Sequence, residues 1–477
     1  MTGTGVRVLV VGATGEIGGI AARQLAGHGA ATALAGRNRR RLEETAGELG
    51  GRPWQTFDAY DLDGCARLAG WAGSALGGLD ALVVAVGVAG QVAARALRVP
   101  SILLLLVLGL LVGPVFGWLD PDEVFGDALF PLVSMAVGLL LFEESLKLDF
   151  GRLRGGARRP VLGLVTTGAL LTGLGATAIA YLCLDVTWGR AAVIGAILIV
   201  SGPTVVGPLL AIVRPRQPVE SVLAFEGIFI DPIGATVALA VANVVLHAET
   251  TSLLLTSAWG LSVGGVSAAL FVLLIRFGRV PKETEVVLAV AFALGAYALA
   301  ESGQDEAGLF ATTALGAVLA NQRVARIEPL HEFGTHVGLL LIGSLFVVLS
   351  ARVDLDALAR YALPTVGIVV LLVLVLRPLV AAVSTVGTDL RWSQRAMIGW
   401  MAPRGIVAAS TASVFALRFE DAGEPFPQLV PVVFGVVLLT AIVYGFTGTP
   451  VATLLGVRSP EAELLDDDGV PVVRRAV

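Results

Sequence analysis

The chain has 477 residues, of which 56% are hydrophobic and only 15% are charged. Soluble globular proteins carry roughly 45–50% apolar and about 25% charged residues, so this composition excludes an ordinary soluble fold and indicates a membrane protein. The net charge of −5, with no basic stripe interleaved with aromatic residues, argues against a nucleic-acid partner.

Residues 1–80 have the composition of a soluble protein, and residues 1–85 are predicted to form a first domain. The apolar run Val6–Val11 predicts a strand, Ile20–His28 predicts an amphipathic helix, and Thr32–Ala35 predicts a second strand. Further strands are predicted near residues 54–57 and 81–85. This alternation of strand and helix is typical of a parallel α/β unit, here a partial Rossmann-like domain.

Three glycines, Gly12, Gly15 and Gly18, stand between the first strand and the first helix, the spacing of a dinucleotide-binding turn. The segment resembles the first half of a short-chain dehydrogenase/reductase. Arg37 follows the second strand, where an acidic residue would select NAD, and therefore indicates the 2′-phosphate of NADP. The nucleotide contacts that the resemblance implies are Gly12, Thr14, Gly15, Ile17, Gly18, Arg37 and Asp61.

Dehydrogenase chemistry is not expected from this segment. The family that it resembles uses a Tyr-x-x-x-Lys pair, but Tyr60 is followed by Gly64, and the only lysines are Lys147 and Lys282 in the membrane part. The segment is therefore predicted to be either a nucleotide-sensing module or a non-functional remnant of a gene fusion. The remainder of the chain is expected to require no cofactor.

The second part, residues 86–456, is a succession of apolar runs near the roughly 20 residues that a membrane-spanning helix needs. The predicted spans are 84–97, 100–118, 127–146, 161–183, 190–213, 219–246, 253–275, 285–300, 307–321, 335–350, 359–382, 395–417 and 428–455. Residues 81–85 cannot be a strand while 84–97 spans the bilayer, so the sequence predicts 12 or 13 crossings. Residues 457–477 are predicted to be a short cytoplasmic tail.

The loops between these spans differ in charge. Basic loops around 147–159, 214–216, 276–282 and 323–326 alternate with acidic loops at 120–123, 301–306 and 420–421. Because basic loops face the cytoplasm, the carboxyl terminus is predicted to be cytoplasmic in a multi-pass protein of the cell membrane.

Four charged residues fall at bilayer depth, where each costs at least about 2.5 kcal/mol. They are Glu226, Asp231, Arg377 and Arg404. Apolar residues surround Asp231, so its carboxylate could accept either a proton or a partly dehydrated Na⁺ or K⁺, in competition. The alternative is a structural ion pair between Asp231 and Arg377 or Arg404. Glu226 is predicted to pair with Arg404.

Two predicted spans contain helix breakers, Val200–Pro208 and Met401–Gly405. Proline removes a backbone donor, and irregular backbone is tolerated in a membrane only where it is buried in protein or lines a cavity. Such breaks in two halves of a chain indicate an inverted-repeat transporter with its site where the broken helices cross. Ordinary proline kinks are the alternative interpretation.

These motifs resemble those of the NhaP-like cation/proton antiporters over residues 84–456. The resemblance is carried by Phe142-Glu143-Glu144-Ser145-Leu146, Ser201-Gly202-Pro203-Thr204, Glu226 to Asp231, Arg377-Pro378-Leu379 and Pro403-Arg404-Gly405. It implies exchange of Na⁺ or K⁺ for H⁺, and a homodimer whose core domain moves against a dimerisation domain. It also implies that Asp231 binds the ion, that Glu226 and Arg404 form a structural pair, and that Ser201, Pro203, Thr204 and Arg377 belong to the site.

The chain departs from that family at two positions. Gly202 replaces the aspartate of a Thr-Asp-Pro motif, and Ile230 replaces the asparagine of an Asn-Asp pair. A single remaining carboxylate predicts electroneutral exchange. The alternative function is a membrane-tethered NADP-binding protein with a degenerate transport domain.

Overall fold

The computed structural model describes residues 7–11, 22–23, 26, 31–36, 38–56, 91, 101–152, 156–247, 252–277, 281–322 and 328–459. Contacts divide the chain into two compact units, Met1–Val88 and Ala89–Val477.

The first unit contains a small parallel sheet. Strand β2, Ala31–Gly36, lies between β1, Arg7–Val11, and β3, Trp54–Thr56. Helix α1, Arg39–Glu48, connects β2 to β3 and begins where the Asn38 side chain accepts a hydrogen bond from the Arg41 amide. Leu34 and Leu42 form the small buried core of this unit together with Ala22 and Ala46.

The strand predicted at 81–85 falls outside the described residues of this unit. So do the nucleotide contacts predicted from the sequence, which are Gly12, Thr14, Gly15, Ile17, Gly18, Arg37 and Asp61. The parallel pairing of β1 with β2, and of β2 with β3, agrees with the predicted α/β pattern.

The second unit is helical, and its helices follow the apolar runs of the sequence. They are α2 Ser101–Val115, α3 Pro121–Phe125, α4 Leu129–Leu146, α5 Arg158–Cys183, α6 Trp188–Ile197, α7 Pro203–Val213, α8 Val219–Val245, α9 Leu253–Phe277, α10 Lys282–Gly303, α11 Ala307–Asn321, α12 Glu328–Ala351, α13 Leu355–Arg360, α14 Ala362–Ser384, α15 Trp392–Trp400, α16 Ile406–Asp421 and α17 Leu429–Leu454.

Within the described residues, seven helices are long and apolar enough to cross a membrane: α4, α5, α8, α9, α10, α14 and α17. Shorter apolar helices include α2, α6, α7 and α11. Because a bilayer requires backbone hydrogen bonds to be satisfied internally, this all-helical arrangement is the expected form of a multi-pass membrane protein. The first predicted span, 84–97, lies outside the described residues except for Gln91.

Two of the predicted spans are interrupted in the described chain. One helix ends at Ile197 and resumes at Pro203, and the other ends at Trp400 and resumes at Ile406. Pro203 is the first residue of α7, a position where its missing N–H costs nothing. Pro208 belonged to the predicted break, but it lies inside α7 and does not end that helix.

The helices of the second unit pack in two groups. The site group consists of α5 to α8 and α14 to α17, and the flanking group consists of α2, α4 and α9 to α12. Glycines allow close packing inside the flanking group. A Cβ on Gly264 of α9 would overlap the Ala311 carbonyl oxygen of α11 and lie 2.8 Å from the Ala314 Cβ.

The neighbouring residue Gly265 gives this packing a matched test, because a Cβ there would meet nothing within 4 Å. We expect Gly264→Ala to destabilise the protein by about 1–3 kcal/mol through overpacking. Gly265→Ala should leave stability unchanged or raise it by about 0.5–1 kcal/mol, because alanine is the better helix former. Thermal unfolding in detergent measures both variants, and equal effects would contradict the packing of α9 on α11.

Candidate functional site

The two interrupted helices cross at a pair of glycines. A Cβ built on Gly202 would lie 3.0 Å from the Cα of Gly405, and a Cβ on Gly405 would lie 2.8 Å from the Cα of Gly202. Contacts this short leave no room for a side chain at either position. The breaks therefore touch backbone to backbone, and glycine is required for that approach.

Asp231 lies beside this crossing, in the middle of α8. Its exposed fraction is 0%, and neither carboxylate oxygen has a hydrogen-bond partner among the described residues. It forms no ion pair with Arg377 or Arg404 in this part of the chain, so the structure does not show the alternative in which Asp231 has a purely structural partner. A buried carboxylate without a partner is costly, and a bound proton or cation would satisfy it.

Thr204, in the first turn of α7, borders the same space. Its hydroxyl is buried and also has no partner among the described atoms. The Cβ position of Gly202 is 3.2 Å from the Thr204 Oγ1 and 3.7 Å from the Asp231 Oδ2. The Thr204 hydroxyl and the Asp231 carboxylate, both unsatisfied in the described chain, therefore lie next to the contact between Gly202 and Gly405.

Arg404 connects the two breaks. Its guanidinium Nη1 donates to the carbonyl oxygen of Val200 over 3.3 Å, and its backbone N–H donates to the Thr440 hydroxyl over 3.2 Å.

The predicted ion pair between Glu226 and Arg404 is wrong, because Glu226 pairs with Arg377. Arg377 Nη1 and Nη2 donate to the two Glu226 carboxylate oxygens over 2.6 and 2.8 Å. The remaining Arg377 donors reach the carbonyls of Ile398 and Met401, at 3.1 and 3.0 Å, where α15 ends. Arg377 therefore satisfies carbonyls that the helix break has freed, whereas the Arg404 side chain is directed to the other break.

The remaining predicted residues lie in the first break. Ser201 is buried in the extended segment, and Pro203 begins α7. The Ser201 carbonyl oxygen would lie 3.4 Å from a Cβ on Gly227, which shows how closely α8 approaches the break. The structure thus brings Ser201, Pro203, Thr204, Asp231 and Arg404 together, with the Glu226–Arg377 pair beside them.

A cavity of about 920 Å³ opens between α4 and α12 on one side and α7 and α8 on the other. Its inner wall includes Pro203 and Ile228, which lie next to the crossing along the chain. Its outer part contains Glu143 and Glu144, each 2.9 Å from the Lys147 ammonium. The cavity therefore extends from the side of the molecule that carries Lys147 to residues next to the crossing.

On the side of the molecule away from Lys147, Arg418 at the end of α16 contacts Asp305 over 3.2 Å. Helix α16 also packs on α4 and α12, so it joins the site group to the flanking group. Contacts between the two helix groups could not be predicted from the sequence, because they depend on how the helices pack.

Sequence reasoning missed several polar residues that the structure places around the site. Glu143, Glu144 and Thr440 had no assigned role, although the pair of acidic residues stands three and four positions before Lys147. That spacing predicts intrahelical ion pairs with Lys147, and it could have identified Glu143 and Glu144 from the sequence.

Comparison with known proteins agrees with this architecture. The family model described as sodium/hydrogen exchanger, transmembrane, matches residues 81–454. A second model, described as short chain dehydrogenase, matches residues 7–102, so the two matches share residues 81–102.

Individual relatives are distant but nearly complete in coverage. The chain is 24% identical over 405 residues to the Na(+)/H(+) antiporter NhaH of Halobacillus aidingensis, covering 79% of this chain and 96% of that protein. It is 25% identical over 403 residues to NhaH of Halobacillus dabanensis, with the same coverage. The structure of the sodium proton antiporter MjNhaP1 from Methanocaldococcus jannaschii at pH 8 superposes with a TM-score of 0.68 at 21% identity, covering 77% of this chain and 98% of that one. The family match extends over most of the chain and includes both broken helices and Asp231, and the chain therefore belongs to the sodium/hydrogen exchanger family, a family of transporters.

Proposed function

We propose that this protein exchanges Na⁺ for H⁺ across the membrane, with Asp231 as the shared binding group. The observation that carries the proposal is the fully buried Asp231 carboxylate, unpartnered in the described chain, where two interrupted helices cross. The named relatives are Na(+)/H(+) antiporters, which favours Na⁺ over K⁺ as the cation.

Exchange follows from competition at one site. Asp231 can hold a proton or a cation, and the Thr204 hydroxyl offers the cation a second oxygen. A negative, unoccupied carboxylate at this depth is costly, so a site carrying either ligand crosses the membrane more readily than an empty one. That difference couples the two ion flows.

We infer that the structure corresponds to one end state of an alternating-access cycle. The cavity beside Lys147 would give access to the site, and the contacts of α16 with the flanking group, including Arg418 with Asp305, would close the other side. If basic loops are cytoplasmic, the open side faces the cytoplasm. We infer that the site group moves against the flanking group to open the other side.

The topology extends this proposal. Helices α5 to α8 and α14 to α17 each comprise a long helix, an interrupted helix and a second long helix, the order expected of inverted repeats. We propose twelve crossings, or thirteen if residues 84–97 also span, in a homodimer of the cell membrane with a cytoplasmic carboxyl terminus.

Asp231→Asn tests the site, because asparagine keeps the shape of the side chain but cannot bind a proton and a cation in turn. In proteoliposomes with Na⁺, K⁺ and Li⁺ compared, we expect the cation-dependent dissipation of ΔpH to fall to the level of protein-free vesicles.

The matched control is Asp389→Asn, which changes an exposed carboxylate in the loop between α14 and α15 and should exchange ions like the wild type. Normal exchange by purified, folded Asp231→Asn protein would remove Asp231 from the mechanism. A wild-type preference for K⁺ would change the cation while leaving the site in place.

The stoichiometry can be tested separately. Ile230 and Gly202 leave Asp231 as the single carboxylate at the crossing, and we propose one proton for each monovalent cation. A membrane potential acts on a net charge with about 2.3 kcal/mol per 100 mV. We expect the Na⁺-dependent ΔpH at steady state to be the same at imposed potentials of either sign, and a shift with potential would show electrogenic exchange.

We propose a second activity, NADP binding, for the first unit. A short-chain dehydrogenase model matches residues 7–102, and β2 lies in the centre of a parallel sheet, as in the first half of a dinucleotide-binding fold. Arg37 would select the 2′-phosphate. Titration of the full chain with NADPH and NADH should show saturable binding with NADPH preferred, and Arg37→Asp should reverse the preference. No saturable binding at millimolar nucleotide would favour a remnant without function.

A further inference from the structure

The break in α15 and α16 leaves backbone groups without helical partners at membrane depth. Trp400 ends the first half-helix and Ile406 begins the second, so residues 401–405 lie outside any helix. Water cannot satisfy such groups in hydrocarbon, and neighbouring side chains have to do so.

Helix α17 supplies three of these side chains from one face. Thr440, Tyr444 and Thr447 are four and three residues apart, a spacing that places them in one row along a helix. We name them the α17 polar row. Apart from Thr449 and Thr453 near its end, the rest of α17 is apolar.

Each member of the α17 polar row contacts the interruption. The Arg404 amide donates to the Thr440 Oγ1 over 3.2 Å, the backbone of Ala402 bonds the Tyr444 hydroxyl, and the Trp400 indole N–H donates to the Thr447 Oγ1 over 3.0 Å. Thr440 and Tyr444 are only 1% and 2% exposed.

The two threonine hydroxyls are oriented for this role. Thr440 donates its own proton to the Val437 carbonyl over 3.2 Å, and Thr447 donates to the carbonyl of Val443. Each hydroxyl proton is thus used within α17, and the oxygen lone pairs are left to accept from the broken helix. The branched threonine side chain has few rotamers, which fixes that direction.

The contact at Thr440 leads directly to the ion site. Arg404 is held through its backbone by Thr440, and its guanidinium bonds the Val200 carbonyl in the other break. The next residue, Gly405, forms the crossing with Gly202 beside Asp231. A displacement of the Arg404 backbone would therefore move a positive charge and the crossing itself.

We propose that Thr440 and Tyr444 are positioning residues for ion exchange, which hold residues 401–405 in the arrangement that can bind the cation at Asp231. This proposal rests on the proposed function. Without the Thr440 hydroxyl, the buried Arg404 amide has no acceptor, and the break spends part of its time in an arrangement that does not bind. The apparent affinity for the cation falls by the same factor as the competent fraction.

The test is Thr440→Val, which keeps the shape of the side chain and removes the hydroxyl. The free-energy cost of leaving a buried amide unsatisfied changes the equilibrium between the binding and non-binding arrangements of residues 401–405 by roughly fivefold to 100-fold. In proteoliposomes we expect the KM for Na⁺ to rise by up to that factor while the maximal rate at saturating Na⁺ is kept. Thr440→Ser should stay within about twofold of the wild type, and Tyr444→Phe should shift KM in the same direction as Thr440→Val.

Thr453→Val is the control, because this exposed hydroxyl of α17 bonds only the Thr449 carbonyl of its own helix. Hydrogen–deuterium exchange over residues 401–405 is the second measurement, and it should accelerate in Thr440→Val but not in Thr453→Val. This readout separates the two proposals: faster amide exchange in a protein that transports no ion would support the positioning contact and reject the antiport. An unchanged KM and unchanged amide exchange in Thr440→Val would overturn the inference, as would a lower maximal rate with unchanged KM.

Discussion

The buried ion pair between Glu226 and Arg377 is the constraint on which the site depends. Two charges at membrane depth remain ionised only if they satisfy each other and their remaining hydrogen-bonding groups. The Arg377 fork does so by binding both Glu226 oxygens and two carbonyls at the end of α15. One side chain of α14 thereby joins α8 to a broken helix, and it fixes the position of α8 along its axis relative to the crossing.

Asp231 lies five residues further along α8, and its carboxylate differs from that of Glu226 in its hydrogen bonding. Both carboxylates are buried in the same helix, yet the Glu226 oxygens are fully engaged while those of Asp231 have no partner in the described chain. An unsatisfied group persists only where its surroundings are held by other interactions, here the ion pair and the backbone contact of Gly202 with Gly405. The Asp231 carboxylate therefore stays unsatisfied in the described chain while the helices around it are held by these contacts.

The sequence predicts much of this arrangement, because the relevant signals are local. Long apolar runs indicate the helices, Gly202-Pro203 and Pro403-Arg404-Gly405 indicate the breaks, and the cost of a charge in lipid indicates Asp231. The partner of Glu226 could not be predicted, since Arg377 and Arg404 both lie at bilayer depth and only the fold decides between them. The α17 polar row was missed for a related reason. The hydroxyls of an apolar helix can be recognised as hydrogen-bond partners only when the fold shows the broken backbone that they face. Pro208 shows the limit of a local rule, because α7 continues through it.

The overlap of the two family matches at residues 81–102 bears on the flanking group and not on the site. A residue cannot belong both to a parallel sheet and to a membrane-spanning helix, because the two conformations satisfy its backbone groups in different ways. Every residue at the crossing, however, comes from α6 to α8 and from α14 to α17, which begin well after that overlap. The crossing and Asp231 are therefore independent of the fold that residues 81–102 adopt.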